Sequence, residues 1–264
     1  MNKNSFLSAA IQAALEAGDE ILKIYNDPAA DFSIEKKADH SPLTIADKVS
    51  HRVITEKLAQ TNLPVLSEEG KSIPYEERVK WERFWLVDPI DGTKEFIKRN
   101  GEFTVNIALI EKGEPILGVV YVPVTGELYF ASENGSYKYQ TGDTFDPDNL
   151  FQAGVKLPLI SERSCYTVVG SRSHMSPETG EYIGKLDTGG KETEIISKGS
   201  SLKICLVAEG KADIYPRLGP TMEWDTAAGH AIARFAGKQI NIYPTEAPLI
   251  YNKENLLNPW FVVK

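Results

Sequence analysis

The chain has 264 residues, 42% of them hydrophobic and 25% charged, and it carries a formal net charge of −8. This length and composition predict a soluble globular protein with one large domain or two small ones, ample for a hydrophobic core. The acidic balance argues against a general nucleic-acid or anionic-membrane surface, although metal ions could still supply positive charge for an anionic substrate.

The sequence lacks the usual marks of export or membrane insertion. No stretch is long and apolar enough to span a bilayer, and acidic residues among the first twenty argue against a signal peptide. Cys165 and Cys205 lie far apart and match no metal-ligand spacing, so we expect two reduced thiols. We therefore expect a cytoplasmic protein, with peripheral association with the inner membrane left open.

Amphipathic periodicity predicts two helices near the start of the chain. The first covers residues 4–25, and the second runs from Thr44 to about Gln60. The inner face of the second helix is predicted to contain Ile45, Val49, Val53 and Leu58. Thr44 and Asp47 have the spacing of a capping box, so capping this helix is the simplest role for Asp47.

A short strand is predicted at residues 64–67, and it ends in the acidic pair Glu68 and Glu69. Such a pair is usually solvated surface. Because adjacent strand residues point to opposite faces, at most one of the two could face a common site.

The most informative stretch begins with an apolar strand that ends in two acids. Residues 84–87 are bulky and uncharged, which predicts a buried strand. Pro89 should end this strand because proline cannot donate to the ladder. Asp88 is then predicted at the strand end and Asp91 on the turn that follows.

Gly92 and residues 93–97 follow these acids directly. Glycine permits close backbone approach, and a short helix starting at Thr93 would offer free N–H groups that suit a phosphate. Asp-Gly between two apolar runs is also typical of a hairpin turn, so this stretch alone leaves both interpretations open.

The rest of the chain divides into a β-rich part and an alternating part. Antiparallel meander strands are predicted at 103–110, 116–122, 127–131 and 136–139. Residues 140–160 form the predicted boundary. Beyond it, strands are predicted at 166–169, 194–196, 213–215 and 239–243, and helices at 176–186, 202–209 and 226–235. This alternation predicts an α/β half whose sheet is covered by helices.

Four acids stand at predicted strand ends or helix starts: Glu68, Asp88, Asp91 and Asp225. Each has an ordinary explanation, and Asp225 would cap the helix that follows it. Strand ends at one edge of a sheet are where sites form in α/β proteins, so the four could converge. Three or four carboxylates could hold two Mg²⁺ ions roughly 3.5–4 Å apart, the spacing used to activate water.

These motifs resemble the inositol monophosphatase superfamily of metal-dependent phosphatases. Within it, they are most similar to the bacterial 3′(2′),5′-bisphosphate nucleotidases of the sulfate-assimilation type. The resemblance rests first on Ser67-Glu68-Glu69, on Asp88 through Thr93, and on Trp224 through Gly229. Further similar segments, in the family's order, are 39–47, 85–110, 199–203, 208–210 and 215–221. The likeness spans nearly the whole chain.

The resemblance implies an α/β fold, a layered αβαβα sandwich of the sugar-phosphatase type. Residues 1–155 would form an α+β half with most metal ligands and the phosphate-binding turn. Residues 156–264 would form an α/β half with the substrate-specificity residues and the last metal ligand. The site would lie in the cleft between the halves.

The resemblance also implies two or three Mg²⁺ ions as cofactors. Glu68, Asp88 and the backbone carbonyl of Ile90 would hold one ion. Asp88, Asp91 and Asp225 would hold a second.

By the same resemblance, Asp47 and Thr93 would orient and deprotonate the attacking water. The N–H groups of Gly92 and Thr93 would hold the phosphate oxygens. The stretch that follows the acidic pair is slightly longer than in similar proteins, which leaves Glu69 as an alternative to Glu68.

Substrate-binding positions of the nucleotidase branch match His174, Ser200, Lys203 and Arg217. A bisphosphate needs a second anion site away from the metals, and Lys203 and Arg217 could provide it. Ordinary interpretations exist here too. A Lys on a helix and an Arg after Tyr-Pro are usually solvated, and His174 could be a capping or surface residue.

The function implied is that of a Mg²⁺-dependent 3′(2′),5′-bisphosphate nucleotidase, which would convert adenosine 3′,5′-bisphosphate to AMP and phosphate by direct attack of water. The resemblance also implies activity on the phosphosulfate analogue and inhibition by lithium. The alternatives are an inositol monophosphatase or sugar-phosphate phosphatase with the same site, and a non-catalytic nucleotide or metal sensor. We expect no nucleic-acid polymer as partner, and either a monomer or a homodimer.

Overall fold

A computed structural model describes residues 3–29, 32, 34–36, 42–142, 149–159, 162–171 and 176–264. Its helices are α1 (Lys3–Asn26), α2 (Ile45–Leu58), α3 (Tyr75–Arg78), α4 (Thr93–Ile97), α5 (Leu150–Ala153), α6 (Pro177–Gly184), α7 (Leu202–Ala208) and α8 (Glu223–Phe235). Its first nine strands are β1 (Glu35–Lys36), β2 (Pro42–Leu43), β3 (Val65–Ser67), β4 (Arg83–Asp91), β5 (Thr104–Glu111), β6 (Glu114–Val122), β7 (Glu127–Ser132), β8 (Gly135–Gln140) and β9 (Val155–Lys156). The remaining strands are β10 (Tyr166–Ser171), β11 (Thr193–Lys198), β12 (Tyr215–Arg217), β13 (Ile240–Ile242) and β14 (Phe261–Val263).

A seven-stranded sheet forms the centre of the first part of the chain, with β3 to β9 in sequential order. β3 runs parallel to β4, and every later neighbour is antiparallel. This order confirms the predicted antiparallel meander. It forms because short turns join consecutive strands of similar length.

Helices cover both faces of this sheet. α1 and α2 pack on one face, where Ile11 shares a core with Trp85. α7 and α8 pack on the other face, where Ile232 shares a core with Leu86. Trp85 and Leu86 are adjacent in β4 and point to opposite faces, so a strand buried on both sides becomes a continuous apolar run.

A glycine in β6 lets α8 lie directly on the sheet. A Cβ atom at Gly118 would lie 2.3 Å from the carbonyl oxygen of Ala228 and 2.7 Å from the Cβ of Ala231. Any larger residue would push α8 outwards, together with Asp225 in its first turn.

Strands β1 and β2 form a separate two-stranded sheet, and β10 to β14 lie on the far side of α7 and α8. β10 pairs in parallel with β11, and β14 lies between β12 and β13 in an antiparallel sheet. Strand β14 was not predicted, although its three residues are fully apolar and buried. With α6 outside these strands, the layers form the expected αβαβα sandwich. The division into halves at residues 155 and 156 stays a prediction.

The inner face of α2 differs from the prediction. Ile45 is 44% exposed, while the buried residues of this helix are Ala46, Asp47, Ser50, Ile54 and Leu58. Two polar residues face inwards because they meet the end of β4, as described below. The spacing of the apolar residues alone does not predict that Asp47 and Ser50 face inwards.

Strand β4 also continues past Pro89, contrary to prediction. Asp88 pairs with Asn106 of β5 and Asp91 pairs with Thr104, and the register shifts between them. Pro89 therefore lies in an irregularity of the ladder, where its missing N–H costs no regular hydrogen bond. As for membrane insertion, the described helices include none with both the length and the apolar character needed to cross a bilayer.

Candidate active site

The irregular end of β4 is fixed by two hydrogen bonds. The buried Ser50 hydroxyl of α2 donates to the carbonyl oxygen of Pro89 at 2.8 Å. The N–H of Ile90 donates to Asp88 Oδ1 at 3.1 Å. Asp88 is only 1% exposed, so its carboxylate is enclosed by the fold.

Other acids surround Asp88. Burial raises the pKa of the Asp88 carboxyl well above its ordinary value, and the negative charges of Glu68, Asp91 and Asp225 raise it further. Glu68 also shares a hydrogen bond with Asp88. The structure therefore brings together the four acids that sequence analysis placed at strand ends and helix starts. Glu68 is thus one member of the acidic pair that meets Asp88, and the choice between Glu68 and Glu69 as metal ligand stays a prediction.

Asp225 enters from α8 as the third residue of the helix. The N-cap is Met222, whose N–H donates to Asp225 Oδ2 at 2.8 Å. The prediction that Asp225 is the N-cap is therefore wrong, because the helix begins at Glu223 rather than at Thr226. Burial and the neighbouring charge of Asp91 raise the pKa of Asp225 to about 8, although the hydrogen bond from Met222 lowers it.

Ser201 and Asn106 connect the segments that carry Asp91 and Asp225, and sequence analysis assigned no role to either. Ser201 Oγ lies 2.9 Å from Asp91 Oδ2 and 2.7 Å from the carbonyl oxygen of Asp225, so its proton can go to either. Asn106 Nδ2 donates to Ser201 Oγ at 2.9 Å and lies 3.3 Å from Asp91 Oδ2. The sequence did contain a signal for Asn106, because it is the polar residue within the apolar run 105–110 of strand β5.

Asp47 caps α2 and also reaches the turn after β4. Its Oδ2 accepts hydrogen bonds from the N–H of Thr44 at 2.7 Å and from the Thr44 hydroxyl at 2.6 Å. Its Oδ1 accepts from the Thr93 hydroxyl at 3.1 Å. The capping role and a role in the site are thus compatible, because each uses a different carboxylate oxygen.

Gly92 makes the turn before α4 possible. Its φ of 94° lies in the left-handed region, which favours glycine. A Cβ atom at this position would also lie 2.1 Å from Ser200 Oγ. The hydroxyl of Ser200 donates to the carbonyl oxygen of Asp91 at 2.8 Å, so the turns at residues 92 and 200 are in direct contact.

A cavity of about 180 Å³ joins these acids to basic side chains. Among the residues that line it are Asp91, Gly92, Ser200, Lys203, Arg217 and Asp225. Asp47, Glu68, Asp88, Ile90 and Thr93 do not line it, and Glu68 lines a different cavity. Two of the predicted metal ligands, Asp91 and Asp225, therefore share one cavity with the predicted phosphate-binding residues Gly92, Ser200, Lys203 and Arg217.

Lys203 and Arg217 are half-buried and line this cavity. Lys203 Nζ donates to the carbonyl oxygen of Ser200 at 2.7 Å. Burial lowers the pKa of Lys203, while Asp91 raises it and Arg217 lowers it again. Arg217 donates through Nη2 to Pro220, and its buried Nε has no hydrogen-bond partner within the described ranges. A buried N–H without an acceptor is costly, so this atom suits an incoming anion.

The donor set fits a hard divalent cation. As they stand, no three Asp, Glu, His or Cys side chains in the described part of the chain form a geometry that could hold a metal ion. However, Asp88 and Asp225 are acids whose pKa values are raised by burial and by neighbouring carboxylates. A cation with a preference for oxygen would relieve this repulsion. His174 lies outside the described residues, so its role stays a prediction.

Comparisons with known proteins find similar proteins over nearly the whole chain. A family model described as the inositol monophosphatase family matches residues 2–258. The 3′(2′),5′-bisphosphate nucleotidase CysQ of Escherichia coli strain K12 is 47% identical over 260 residues, which cover 97% of this chain and 98% of that protein. The protein of the same name from Haemophilus influenzae is 34% identical over 262 residues, covering 97% and 91%.

Solved structures match over almost the full length. CysQ from Bacteroides thetaiotaomicron, a bacterial member of the inositol monophosphatase family, has a TM-score of 0.91 and 54% identity, and the match covers 99% of this chain and 97% of the other. An IMPase from Thermotoga maritima has a TM-score of 0.73 and 23% identity over 98% and 92%, and it supports the fold alone. The chain therefore belongs to the inositol monophosphatase family.

Proposed function

We propose that this member of a family of metal-dependent phosphatases removes the 3′-phosphate of adenosine 3′,5′-bisphosphate, giving AMP and inorganic phosphate. The observation that carries the proposal is the shared cavity, in which Asp91 and Asp225 face Lys203 and Arg217. The name of the 47% identical Escherichia coli relative, a 3′(2′),5′-bisphosphate nucleotidase, supports the same substrate.

The acids around Asp88 are the proposed Mg²⁺ ligands. Glu68, Asp88 and the carbonyl oxygen of Ile90 would hold one ion, and Asp88, Asp91 and Asp225 a second, with a third as a further option. Mg²⁺, when bound, supplies positive charge that makes water more acidic and stabilises the phosphoryl oxygens. Support comes from the mutual repulsion that raises the pKa of Asp88 and Asp225.

Asp47 and Thr93 are the proposed acceptors of the proton from the attacking water. Because the Thr93 hydroxyl donates to Asp47 Oδ1, the lone pairs of Thr93 Oγ1 remain free to accept a hydrogen bond from water. As the water attacks, its proton would pass to Thr93 Oγ1 and the hydroxyl proton of Thr93 to Asp47. No Cys or His nucleophile is required, so water would attack phosphorus directly, without a phosphoryl-enzyme. The bond between phosphorus and the ribose 3′-oxygen would break, and this oxygen would take up a proton from solvent to give AMP.

The phosphate that is cleaved would rest on the turn after β4. The N–H groups of Gly92 and Thr93 would donate to its oxygens as negative charge grows in the transition state. The left-handed φ of Gly92 turns the chain at this point, and this turn supports the assignment.

The 5′-phosphate would occupy the basic end of the cavity. Lys203 Nζ and the unpartnered Nε of Arg217 are its proposed donors. Ser200 is proposed to bind it as well, once its hydroxyl turns away from the carbonyl oxygen of Asp91. His174 is proposed to contact the nucleoside. On this assignment residues 1–155 supply most of the metal ligands and residues 156–264 the selectivity. We further propose that the protein is cytoplasmic and is either a monomer or a homodimer.

Phosphate release with and without Mg²⁺ tests the proposal. Adenosine 3′,5′-bisphosphate and inositol 1-phosphate are compared at equal concentrations, with D91N as a matched inactive control against contaminating phosphatases. We expect Mg²⁺-dependent release with a strong preference for the nucleotide, and inhibition by Li⁺.

Other outcomes are equally informative. A preference for the inositol ester would overturn the substrate and favour the monophosphatase alternative. No release from either substrate by the folded protein would overturn catalysis and favour a nucleotide or metal sensor.

A further inference from the structure

Glu102 links the two sides of the cavity through a contact that the proposed chemistry does not use. It lies in the loop between α4 and β5, and its side chain is 14% exposed. Its Oε2 accepts a hydrogen bond from the N–H of Gly199 at 2.9 Å, and its Oε1 lies 3.2 Å from Lys198 Nζ. Gly199 is 97 residues away in the sequence, in the turn between β11 and α7.

The turn that Glu102 holds is strained. Ser200 has a φ of 52°, which lies in the left-handed region that side chains other than glycine rarely adopt. Such a conformation persists only where its surroundings hold it. The hydrogen bond from the N–H of Gly199 to Glu102 fixes the peptide group between Lys198 and Gly199, one residue before Ser200, and Lys203 in turn donates to the carbonyl oxygen of Ser200.

The far end of α7 has its own anchor. Glu209, buried just after this helix, accepts a hydrogen bond from the Tyr129 hydroxyl and lies 3.2 Å from Lys138 Nζ, both in the seven-stranded sheet. Loss of Glu102 would therefore release the turn before α7 without detaching the helix from the sheet.

We propose that Glu102 is a positioning residue for selectivity towards a nucleoside bisphosphate. By holding the Gly199 peptide, it orients Ser200 and Lys203 towards the second phosphate. This inference rests on the proposed function, which assigns these two residues to that phosphate. Glu102 lines the cavity, but its two carboxylate oxygens are engaged by Gly199 and Lys198, so we assign it to the turn and not to the substrate.

The effect of Glu102 should be separable from metal binding. Ser201, the next residue of the turn, is held independently by Asp91 and Asn106. Removal of Glu102 should therefore weaken binding of the second phosphate while the Mg²⁺ requirement and kcat change little. If Glu102 only stabilised the fold, its removal would lower the hydrolysis rates of all substrates to a similar extent.

Steady-state kinetics with two adenosine nucleotides test this role. Adenosine 3′,5′-bisphosphate and adenosine 3′-monophosphate share the phosphate that is cleaved and differ only in the 5′-phosphate. We expect E102A to raise KM for the bisphosphate about tenfold, the effect of losing one charge-assisted hydrogen bond, with kcat within about threefold. KM for the monophosphate should not change.

Two conservative variants separate the effect of side-chain length at position 102 from the effect of its charge. E102Q keeps an acceptor at the same distance, whereas E102D keeps the charge but withdraws it from Gly199. We expect E102D to raise KM for the bisphosphate more than E102Q does. The reverse order, or a K198A variant that reproduces the whole effect of E102A, would assign the effect to the ion pair with Lys198 and overturn the proposal.

E111A is the matched control for stability. Glu111 pairs with Arg83 at the opposite end of β5, and its loss removes an ion pair outside the cavity. We expect E111A to lower the melting temperature about as much as E102A does, and to leave the preference for the bisphosphate over the monophosphate unchanged. A wild-type enzyme without preference for the bisphosphate would overturn the proposed substrate and the role of Glu102 together. A wild-type preference that persists in E102A and E102D would overturn the role of Glu102 alone.

Discussion

The Thr93 hydroxyl donates a hydrogen bond to Asp47 Oδ1 at 3.1 Å, although 46 residues separate the two in the sequence. The other oxygen of Asp47 is occupied by Thr44 at the start of α2. The orientation of the carboxylate is therefore set by helix capping before any substrate arrives. This gives the proposed proton acceptor a fixed geometry at no additional conformational cost.

Replacement of either member of this pair should remove most activity. We expect D47N and T93V each to lower kcat about 10²–10⁴-fold, because each interrupts proton transfer from water, with little change in KM. The double variant should be no slower than the slower single variant, since the two side chains act as one unit. Single-turnover phosphate release measures these rates.

T44V serves as the control for this pair. It removes the Thr44 hydroxyl but keeps the backbone N–H that caps α2 through Asp47. We expect lower thermal stability and an activity loss far smaller than that of D47N. Independent, additive losses in D47N and T93V would argue against a shared proton path.

Lys203 and Arg217 should determine the preference for a second phosphate. We expect the K203A/R217A variant to lower kcat/KM for adenosine 3′,5′-bisphosphate about 100-fold or more, because two charge-assisted contacts are lost. Hydrolysis of inositol 1-phosphate should change little. A matched control is R52A/K185A, which removes one Arg and one Lys from exposed ion pairs outside the cavity. Equal losses on both substrates in K203A/R217A would contradict the second anion site.

Ser201 should tune metal affinity through Asp91. Its hydroxyl is the neutral donor closest to Asp91 Oδ2, at 2.9 Å, and such supporting contacts orient metal ligands. We expect S201A to raise the Mg²⁺ concentration for half-maximal activity about tenfold. S136A is the control, because Ser136 Oγ is buried without a hydrogen-bond partner in the described part of the chain. An unchanged Mg²⁺ midpoint in S201A would contradict the role.

Asp225 should make the Mg²⁺-free protein less stable as pH rises. Its pKa is raised from 3.8 to about 8 in the folded state, so between these values the folded protein holds a proton that the unfolded chain has released. The free energy of unfolding then falls with rising pH, by at most about 1.4 kcal/mol per pH unit from this residue.

D225N should remove this dependence. In urea unfolding with a chelator, we expect D225N to be more stable than the wild type at pH 8 and equal to it near pH 4. Mg²⁺ should stabilise the wild type and not the variant. D213N is a contrasting control, since Asp213 binds Arg163 and its loss should destabilise the fold at pH 8. A D225N protein that is less stable at pH 8 would contradict the predicted repulsion.

Local patterns were sufficient for most helices and strands. The predicted helix at residues 4–25 became Lys3–Asn26, and the four meander strands lie within two residues of their predicted bounds. These elements depend on contacts between residues close in sequence, namely one face of a helix or strands joined by short turns. Errors occurred where distant contacts decide: α2 turns Asp47 and Ser50 inwards, and β4 continues past Pro89 because Ser50 holds the irregular ladder.

The sequence alone determined which acids and basic residues are available, in the order typical of the family, and hence the proposed chemistry. Only the tertiary structure decided which of them meet. Glu68 meets Asp88, Ser201 joins Asp91 to Asp225, and Glu102 holds Gly199. Such partners lie many residues apart and follow no local period, so their contacts exist only once the helices have packed on both faces of the sheet.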